Sequence, residues 1–90
     1  KVERPGVGDD TRSWGPPFVA HSNGRDRDAA YFFCANRNKR SLTIDFTQAS
    51  GREILHKLVR TADVLVENFK VGGLKKHALD YDTLSTINPG

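Results

Sequence analysis

Short apolar runs separated by polar stretches divide this chain into a few small elements. Residues 41–46 alternate polar and apolar side chains, so Leu42, Ile44 and Phe46 would share one face of a strand. Over residues 48–61 apolar positions recur every three or four residues, which predicts an amphipathic helix. The predicted apolar stripe consists of Ile54, Leu55, Leu58, Val59 and Ala62. Thr47 is a candidate N-cap of this helix, and Ser50 with Glu53 is a candidate capping box.

A second apolar run follows the helix. Residues 64–66 are consecutive aliphatics, and an uninterrupted run of this kind predicts a strand at 63–67 that is buried on both faces. The strand 41–46, the helix and this strand together predict a β-α-β unit over residues 41–67, a unit that is right-handed almost always. The pattern therefore predicts an α/β fold with parallel strands.

The remaining residues flank this unit. Residues 1–3 are expected to be the end of a strand, and residues 5–28 a long loop, because early proline and glycines interrupt regular structure and no clear periodicity follows. A loop of this length is either functional or argues against a compact independent domain. Residues 29–35 predict a helical turn, and two short helices are expected over 74–79 and 82–87.

Polar and aromatic side chains appear where the second predicted strand ends. In an open parallel sheet, ligands bind at the carboxyl ends of the strands. Asn68 and Phe69 stand at that end and would suit a ligand with a polar edge and an aromatic face. Alternatively, Asn68 forms a turn and Phe69 anchors the core. The glycine pair Gly72–Gly73 offers either backbone amides for a phosphate or a tight turn.

Composition and charge restrict the function only broadly. The chain has 90 residues, 37% of them hydrophobic, and a formal net charge of +3, which is a modest apolar fraction for an independent domain. Such a basic surplus can bind nucleic acid, an acidic membrane or a phosphorylated small molecule, and it can also be a solvated surface. The basic clusters are Arg37, Lys39 and Arg40, and Lys70, Lys75 and Lys76. No apolar run is long enough to span a membrane.

Candidate catalytic and metal-binding residues are sparse. His21, His56 and His77 lie far apart and form no metal-binding spacing, and His56 is expected to be simply exposed. Cys34 is the single cysteine, which excludes an internal disulfide and favours a reducing compartment. Its aromatic neighbours predict a buried, unreactive thiol. The motifs alone therefore provide no complete active site.

Four stretches, taken in order, resemble the amino-terminal part of the family III CoA-transferases of the CaiB/BaiF type. They are Lys1–Pro5 with Gly8–Arg12, Trp14–Phe18, Asn36–Asp45 and Ala62–Phe69. The sequence of Gly8–Phe18 most resembles the succinyl-CoA–glutarate type. The resemblance implies that residues 1–90 are a partial amino-terminal segment of one larger α/β domain, with a Rossmann-like parallel β-α-β piece.

The resemblance also implies an activity. Family members transfer CoA from an acyl-CoA to a free carboxylic acid through an aspartyl intermediate, which is covalent catalysis by a carboxylate. The family's nucleophile lies beyond the matched region, so no catalytic residue is assigned. The aspartates that do not align with it are Asp9, Asp10, Asp45, Asp63, Asp80 and Asp82.

The same resemblance implies partners and a location. It implies coenzyme A as the cofactor, in the form of the acyl-CoA substrate, without a metal ion. It implies a homodimer of interlocked subunits in which the loop 5–28 packs on other parts of the dimer, and neither nucleic acid nor a membrane as a partner. The expected location is the cytoplasm or the mitochondrial matrix, and the chain is not expected to be secreted.

A set of CoA-binding positions follows from the resemblance residue by residue. The set is Arg4, Ile44, Asp45, Phe46, Thr47, Asn68, Phe69, Lys70 and Lys76. Arg4 matches an arginine near the nucleotide phosphates, and Ile44 with residues 45–47 matches the segment beside the adenine. Asn68 and Phe69 match the pair that borders the CoA.

Three of these positions depart from the family pattern. The family often has a lysine where Thr47 stands, which removes one expected phosphate contact. Lys76 replaces a common arginine, which keeps the charge but not the bidentate geometry. Lys70, followed by Val71, replaces a frequent Arg/Gly-Pro.

Two other functions are compatible with the sequence. One is a small basic nucleic-acid-binding module that would use Arg37, Lys39 and Arg40, with Phe32 and Phe33 as stacking groups. The other is a structural or regulatory remnant that keeps the fold and binds no ligand.

Overall fold

All 90 residues, Lys1–Gly90, are described by the computed structural model, which divides into two units, Lys1–Ile44 and Asp45–Gly90. The strands are β1 (Val2–Glu3), β2 (Phe18–Ala20), β3 (Arg27–Ala29) and β4 (Leu42–Thr43), and the α-helices are α1 (Ala30–Asn36), α2 (Ala49–Val59) and α3 (Tyr81–Ile87). Two short 3₁₀ helices span Asp10–Ser13 and Lys75–His77.

Parallel strands organise the first unit. β1 pairs with β4 in parallel, with Val2 opposite Leu42 and Glu3 opposite Thr43. The connection between the two strands carries the β2–β3 pair, which is antiparallel, and the helix α1. The predicted α/β class with parallel strands is therefore confirmed, and its parallel β-α-β connection runs from β1 through α1 to β4.

The predicted strand at 63–67 is not formed, and neither is the β-α-β unit over 41–67. Residues 63–69 form neither helix nor strand, and Val64 and Val66 are 76% and 88% exposed. A run of aliphatic residues favours a strand, but a strand forms only where a neighbouring strand accepts and donates its hydrogen bonds. The strand predicted for 41–46 is likewise shorter and covers only β4.

The predicted loop 5–28 contains regular structure that the sequence analysis missed. It holds the 3₁₀ helix Asp10–Ser13, all of β2 and the start of β3. The turn between β2 and β3 is closed by the His21 amide, which donates to the Asp26 carbonyl at 2.8 Å. Asn23 and Gly24 lie inside this turn, and an Asn-Gly pair between short apolar runs is a recognised hairpin signal.

The second unit is built around a small apolar core. The buried side chains Val59, Leu79 and Leu84 pack together, with partly buried apolar side chains around them. The surrounding side chains are Phe46, Leu55, Leu74 and Ile87. Asn88 donates from its side-chain amide to the carbonyls of Val59 and Ala62, at 2.9 and 3.1 Å. This satisfies carbonyls at the end of α2 that have no partner within the helix.

The helices lie where the apolar pattern predicts them, but their lengths, the N-cap of α2 and the exposure of several side chains differ from the prediction. α2 is shorter than predicted, and its N-cap position is Gln48, without a side-chain hydrogen bond. Only part of the predicted apolar stripe is covered, since Ile54 and Leu58 are 45% and 43% exposed. α3 confirms the last predicted helix, and a 3₁₀ helix stands where 74–79 was expected. Cys34 is exposed, not buried, because it lies on the outer side of the short helix α1.

Candidate functional site

The structure distributes the predicted CoA-binding residues over both units. Arg4 and Ile44 belong to the first unit, and the other predicted positions belong to the second. Ile44 is buried, and its amide donates to the Glu3 carbonyl at 2.9 Å, which extends the β1–β4 pairing. Ile44 therefore has a structural role, in the core and in the pairing of β1 with β4.

Three rings in the second unit form what we call the aromatic corner: Phe46, Phe69 and His77. The centroids of Phe46 and Phe69 are 5.7 Å apart with the rings nearly perpendicular, and those of Phe46 and His77 are 5.2 Å apart. These are favourable edge-to-face distances. Phe69 remains 53% exposed. The corner thus brings together the two predicted segments 45–47 and 68–70, and it presents exposed ring surface that a planar heterocycle could stack on.

His77 was not among the predicted site residues. The spacing of the histidines in the sequence indicates no metal site, whereas in the structure the His77 imidazole packs against the Phe46 ring. The turn that carries His77 is fixed by His56, whose Nε2 lies 2.9 Å from the Ala78 carbonyl. His56 is therefore bound and not simply exposed, which corrects the sequence expectation. Ala78 has a positive φ of 55°, so the chain reverses immediately after the 3₁₀ helix.

Asp45 and Thr47 form a local turn. The backbone amide and the hydroxyl of Thr47 both donate to Oδ1 of Asp45, at 3.0 and 2.6 Å. These hydrogen bonds, the hydroxyl first, lower the pKa of Asp45 below its usual value. An aspartate side chain that accepts from the backbone amide two residues further on forms an Asx turn. Thr47 lies in this turn and does not cap α2, whose N-cap position is Gln48. Both side chains shape the loop beside the aromatic corner.

Arg52 fixes the same loop from the first turns of α2. Its Nη1 donates to the carbonyls of Phe46 and Thr47, at 3.2 and 2.8 Å. The sequence analysis missed this residue. Its position in the first turns of α2 is a sequence signal, because a cation near a helix N-terminus interacts unfavourably with the helix dipole and is stabilised by an acceptor nearby.

Asn68 and the basic residues near it are free to bind a ligand. The side-chain amide of Asn68 makes no hydrogen bond, whereas the neighbouring Phe69 amide is satisfied by Oε2 of Glu67 at 2.7 Å. The side chains of Lys70, Lys75 and Lys76 are exposed and form no salt bridge or hydrogen bond within the chain. Unpaired cations beside an aromatic surface suit a phosphorylated aromatic ligand.

The glycine pair forms a tight turn. Gly72 has φ 77°, in the left-handed region, and the Gly73 amide donates to the Lys70 carbonyl at 2.7 Å. A Cβ on Gly73 would come within 2.8 Å of that carbonyl oxygen. Since the Gly73 amide is already bonded, the tight-turn alternative is favoured over the phosphate cradle.

An open cavity of about 470 Å³ adjoins the aromatic corner within the second unit. Its walls combine apolar, aromatic and polar groups. They include Leu65, Phe69, Lys70, Tyr81 and Asn88. The cavity places the Phe69 ring and the Lys70 chain at the margin of a concave surface.

Arg4 is the predicted phosphate contact of the first unit. Its Nε donates to the Gly8 carbonyl at 3.1 Å, and its Nη2 forms an ion pair with Asp10. The Arg4 side chain remains 59% exposed. The guanidinium is thus held in place on one side and open to solvent on the other.

The first unit also contains a set of charged residues that we call the ion cluster: Glu3, Arg12, His21 and Asp28. Arg12 binds Glu3 through two nitrogens, each at 2.9 Å, and Asp28 through a third at 2.8 Å. Nε2 of His21 lies 2.9 Å from the same Asp28 oxygen. Glu3 and Asp28 are 5% and 7% exposed. The hydrogen bond from Arg12, with smaller contributions from the Asp9 amide and the Ser41 hydroxyl, lowers the pKa of Glu3 to about 2.

Of the two rings expected to stack on bases in a nucleic-acid module, Phe33 is 46% exposed and Phe32 is covered. Phe32 is only 9% exposed, and the Arg12 guanidinium carbon lies 3.9 Å from its ring centroid. One of the two rings proposed for base stacking is therefore occupied. No helix in the structure is long and apolar enough to cross a membrane, and no group of three or more side chains is arranged to hold a metal ion.

Comparisons with known proteins agree on one family. The sequence profile of "CoA-transferase family III" matches residues 1–90. The "Succinate--glutarate CoA-transferase" of Agrobacterium fabrum is 52% identical over 89 residues, which are 99% of this chain and 22% of that protein. The "Succinyl-CoA:glutarate CoA-transferase" of Homo sapiens is 42% identical, and the match covers 99% of this chain and 19% of that protein.

A solved structure shares the fold. The crystal structure of a CaiB/BaiF family protein from Brucella suis superimposes with a TM-score of 0.89 and 56% identity, covering 98% of this chain and 22% of that one. This chain therefore spans about a fifth of the length of the relatives it matches. Because the family profile extends over the whole chain and the fold is that of a CaiB/BaiF protein, the chain belongs to CoA-transferase family III.

Proposed function

We propose that this chain is the amino-terminal segment of a CoA-transferase, and that it supplies residues that bind CoA. The enzyme would move CoA from an acyl-CoA to a free carboxylic acid through an aspartyl intermediate. The observation that carries the proposal is the aromatic corner, in which residues from two separate predicted CoA-binding segments meet. The family and the names of the relatives support the activity.

The proposed chemistry needs no oxidant and no metal. A carboxylate attacks the thioester carbonyl, the CoA thiolate leaves, and a mixed anhydride forms; the thiolate then attacks the aspartyl carbonyl and releases the first acid. The acceptor carboxylate and CoA repeat these two steps in reverse order. The nucleophilic aspartate is proposed to lie outside these 90 residues, so their task is to bind and orient CoA.

CoA has an aromatic base, three phosphate groups and a long amide chain, and the exposed groups of this chain suit it. Phe69 offers ring surface for the adenine, and the unbonded amide of Asn68 offers both a donor and an acceptor. Lys70 and Lys76 supply charge for phosphates, and Arg4 is proposed separately, from the family resemblance, as a phosphate contact. The relatives' names favour a short dicarboxylic acid as the acyl acceptor.

The wider assembly is proposed on the same basis. We propose a homodimer, with location in the cytoplasm or the mitochondrial matrix. The low hydrophobic content and the exposed aliphatics Val64 and Val66 are consistent with a segment that is completed by other parts of a larger protein.

The test is made in the longer protein in which we propose that this segment lies. Phe69→Ala is expected to raise the KM for acyl-CoA about three- to tenfold, the value of one aromatic stacking contact. Asn68→Ala is expected to act in the same direction. Val71→Ala is the matched control, because Val71 is 100% exposed and close in sequence. A KM for Phe69→Ala equal to that of the control would exclude the aromatic corner as a CoA-binding surface.

A further inference from the structure

On the basis of the proposed function, we infer that Arg12 and Glu3 are positioning residues for Arg4. Their ion pair would hold the turn at Gly8–Asp9, and that turn holds the guanidinium of Arg4 toward the CoA phosphates. Arg12 itself would not contact CoA.

The Arg12 guanidinium is fixed from several sides. It donates hydrogen bonds to both Glu3 carboxylate oxygens at 2.9 Å and to Asp28 at 2.8 Å. Its guanidinium carbon lies 3.9 Å from the Phe32 ring centroid. A two-pronged arginine–carboxylate pair specifies orientation as well as distance. Since all three of its nitrogens are engaged by carboxylates, Arg12 is not available to a phosphate, although its side chain is 29% exposed.

The ion pair fixes the turn that follows Arg4. The Asp9 amide donates to Oε2 of Glu3 at 2.9 Å, so the carboxylate that binds Arg12 also binds the turn. Gly8 lies directly against the pair. A Cβ on Gly8 would come within 2.7 Å of the Glu3 oxygen and 2.9 Å of the Arg12 Nε. Gly8 also has φ 69°, in the left-handed region where glycine is favoured.

The turn at Gly8–Asp9, once fixed by the ion pair, holds the Arg4 side chain. The Gly8 carbonyl accepts a hydrogen bond from Arg4 Nε at 3.1 Å, and the Gly8 amide donates to the Arg4 carbonyl at 3.2 Å. The direction of the Arg4 guanidinium is therefore set by the position of the Gly8 carbonyl, together with the ion pair between Nη2 and Asp10. That position depends on the close contact between Gly8 and the Glu3–Arg12 pair. A shift of the pair would move the Arg4 guanidinium without removing its charge.

The experiment is a double-mutant cycle in the longer protein, with KM for acyl-CoA and kcat as separate readouts. Arg12→Lys keeps the charge and removes the fork. It is expected to raise KM about fivefold or more, the equivalent of one misaligned charged hydrogen bond, and to leave kcat unchanged. In an Arg4→Ala background the same substitution is expected to change KM less than about twofold, because non-additivity reports residues that act through one another.

Arg27→Lys is the matched control. Arg27 lies in β3 with its guanidinium carbon 4.3 Å from the Phe18 ring centroid, so the control removes an arginine stacked on a ring from the same unit. Its KM is expected to equal that of the unmodified protein. An equal rise in KM for Arg27→Lys and Arg12→Lys would show a general loss of structure and overturn the inference.

The remaining outcomes separate the inference from the proposed function. If Arg12→Lys raises KM by the same factor with and without Arg4, Arg12 acts independently and only the inference is overturned. If Arg4→Ala leaves KM unchanged, the proposed role of Arg4 itself is refuted, and the inference with it. Should Arg12→Lys fail to fold, Gly8→Ala displaces the same turn without altering any charge and is judged by the same non-additivity with Arg4→Ala.

Discussion

Replacing Glu3 by glutamine should remove the contribution of this carboxylate to the acid dependence of the first unit's stability. Glu3 is 5% exposed, and its pKa is lowered from 4.5 to about 2, first by the hydrogen bond from Arg12. A folded-state pKa below the unfolded value means that the ionised carboxylate stabilises the fold. The stabilisation is complete above the unfolded pKa of 4.5 and is lost as the pH falls toward about 2.

The magnitude follows from the size of the shift. The difference between 4.5 and about 2 is about 2.5 pH units, which at about 1.36 kcal/mol per unit corresponds to about 3 kcal/mol. Glu3→Gln is therefore expected to lower the free energy of unfolding by about 3 kcal/mol at pH 7. At pH 2 the difference should shrink to about 0.4 kcal/mol, because the Glu3 carboxylate is then about half protonated in the folded state and almost fully protonated in the unfolded state.

The assay is urea unfolding of the chain at a series of pH values, followed by the fluorescence of Trp14. Trp14 is the single tryptophan, and its ring centroid lies 5.3 Å from that of Tyr31, so it reports on the first unit. Asp9, whose pKa is also lowered to about 2 and first by Lys1, keeps its own acid dependence in both proteins. A stability difference of the same size at pH 2 and pH 7 would refute the electrostatic reasoning and assign the loss to packing.

Three further predictions test other parts of the chain. Asp10→Asn removes the acidic partner of Arg4 and should strengthen CoA binding by calorimetry, most at low salt; weaker binding would mean that Asp10 orients Arg4. In the longer protein of the proposed function, Arg52→Ala removes two hydrogen bonds to the loop beside the aromatic corner and should raise the KM for acyl-CoA about tenfold; an unchanged KM would contradict this role of Arg52. Leu84→Ala, at a core position that is 8% exposed, should cost about 2–4 kcal/mol in chemical unfolding, and Val71→Ala less than about 0.5 kcal/mol.

Local sequence determined the elements whose signal is carried by near neighbours. The period of apolar residues fixed the position of α2 and, less sharply, of α3, because helix side chains three and four positions apart share one face. The hairpin of β2 and β3 also has a local signal, the Asn23–Gly24 pair in its turn. The resemblance to CoA-transferases rested on short motifs and was sufficient to identify the family.

Tertiary structure decided which chain segments pair. Residues 63–67 have the composition of a buried strand and remain unpaired, whereas the less apolar β1 and β4 find each other across the intervening hairpin and helix. The physical reason is that a strand's stability comes from hydrogen bonds to a partner that is distant in sequence. An apolar run therefore indicates a preference for strand structure, but it does not indicate that a partner strand is present.

The candidate site shows the same division. Sequence motifs pointed to Phe46 and Phe69, but only the fold added His77 to them and placed Arg52 on their loop. The ion cluster joins Glu3, Arg12 and Asp28 across separations of 9 and 16 residues, and no local pattern encodes such a pairing. The charges of a sequence can be counted directly, but a buried charge is stable only where an opposite charge lies next to it. Which charges become neighbours is decided by the tertiary structure.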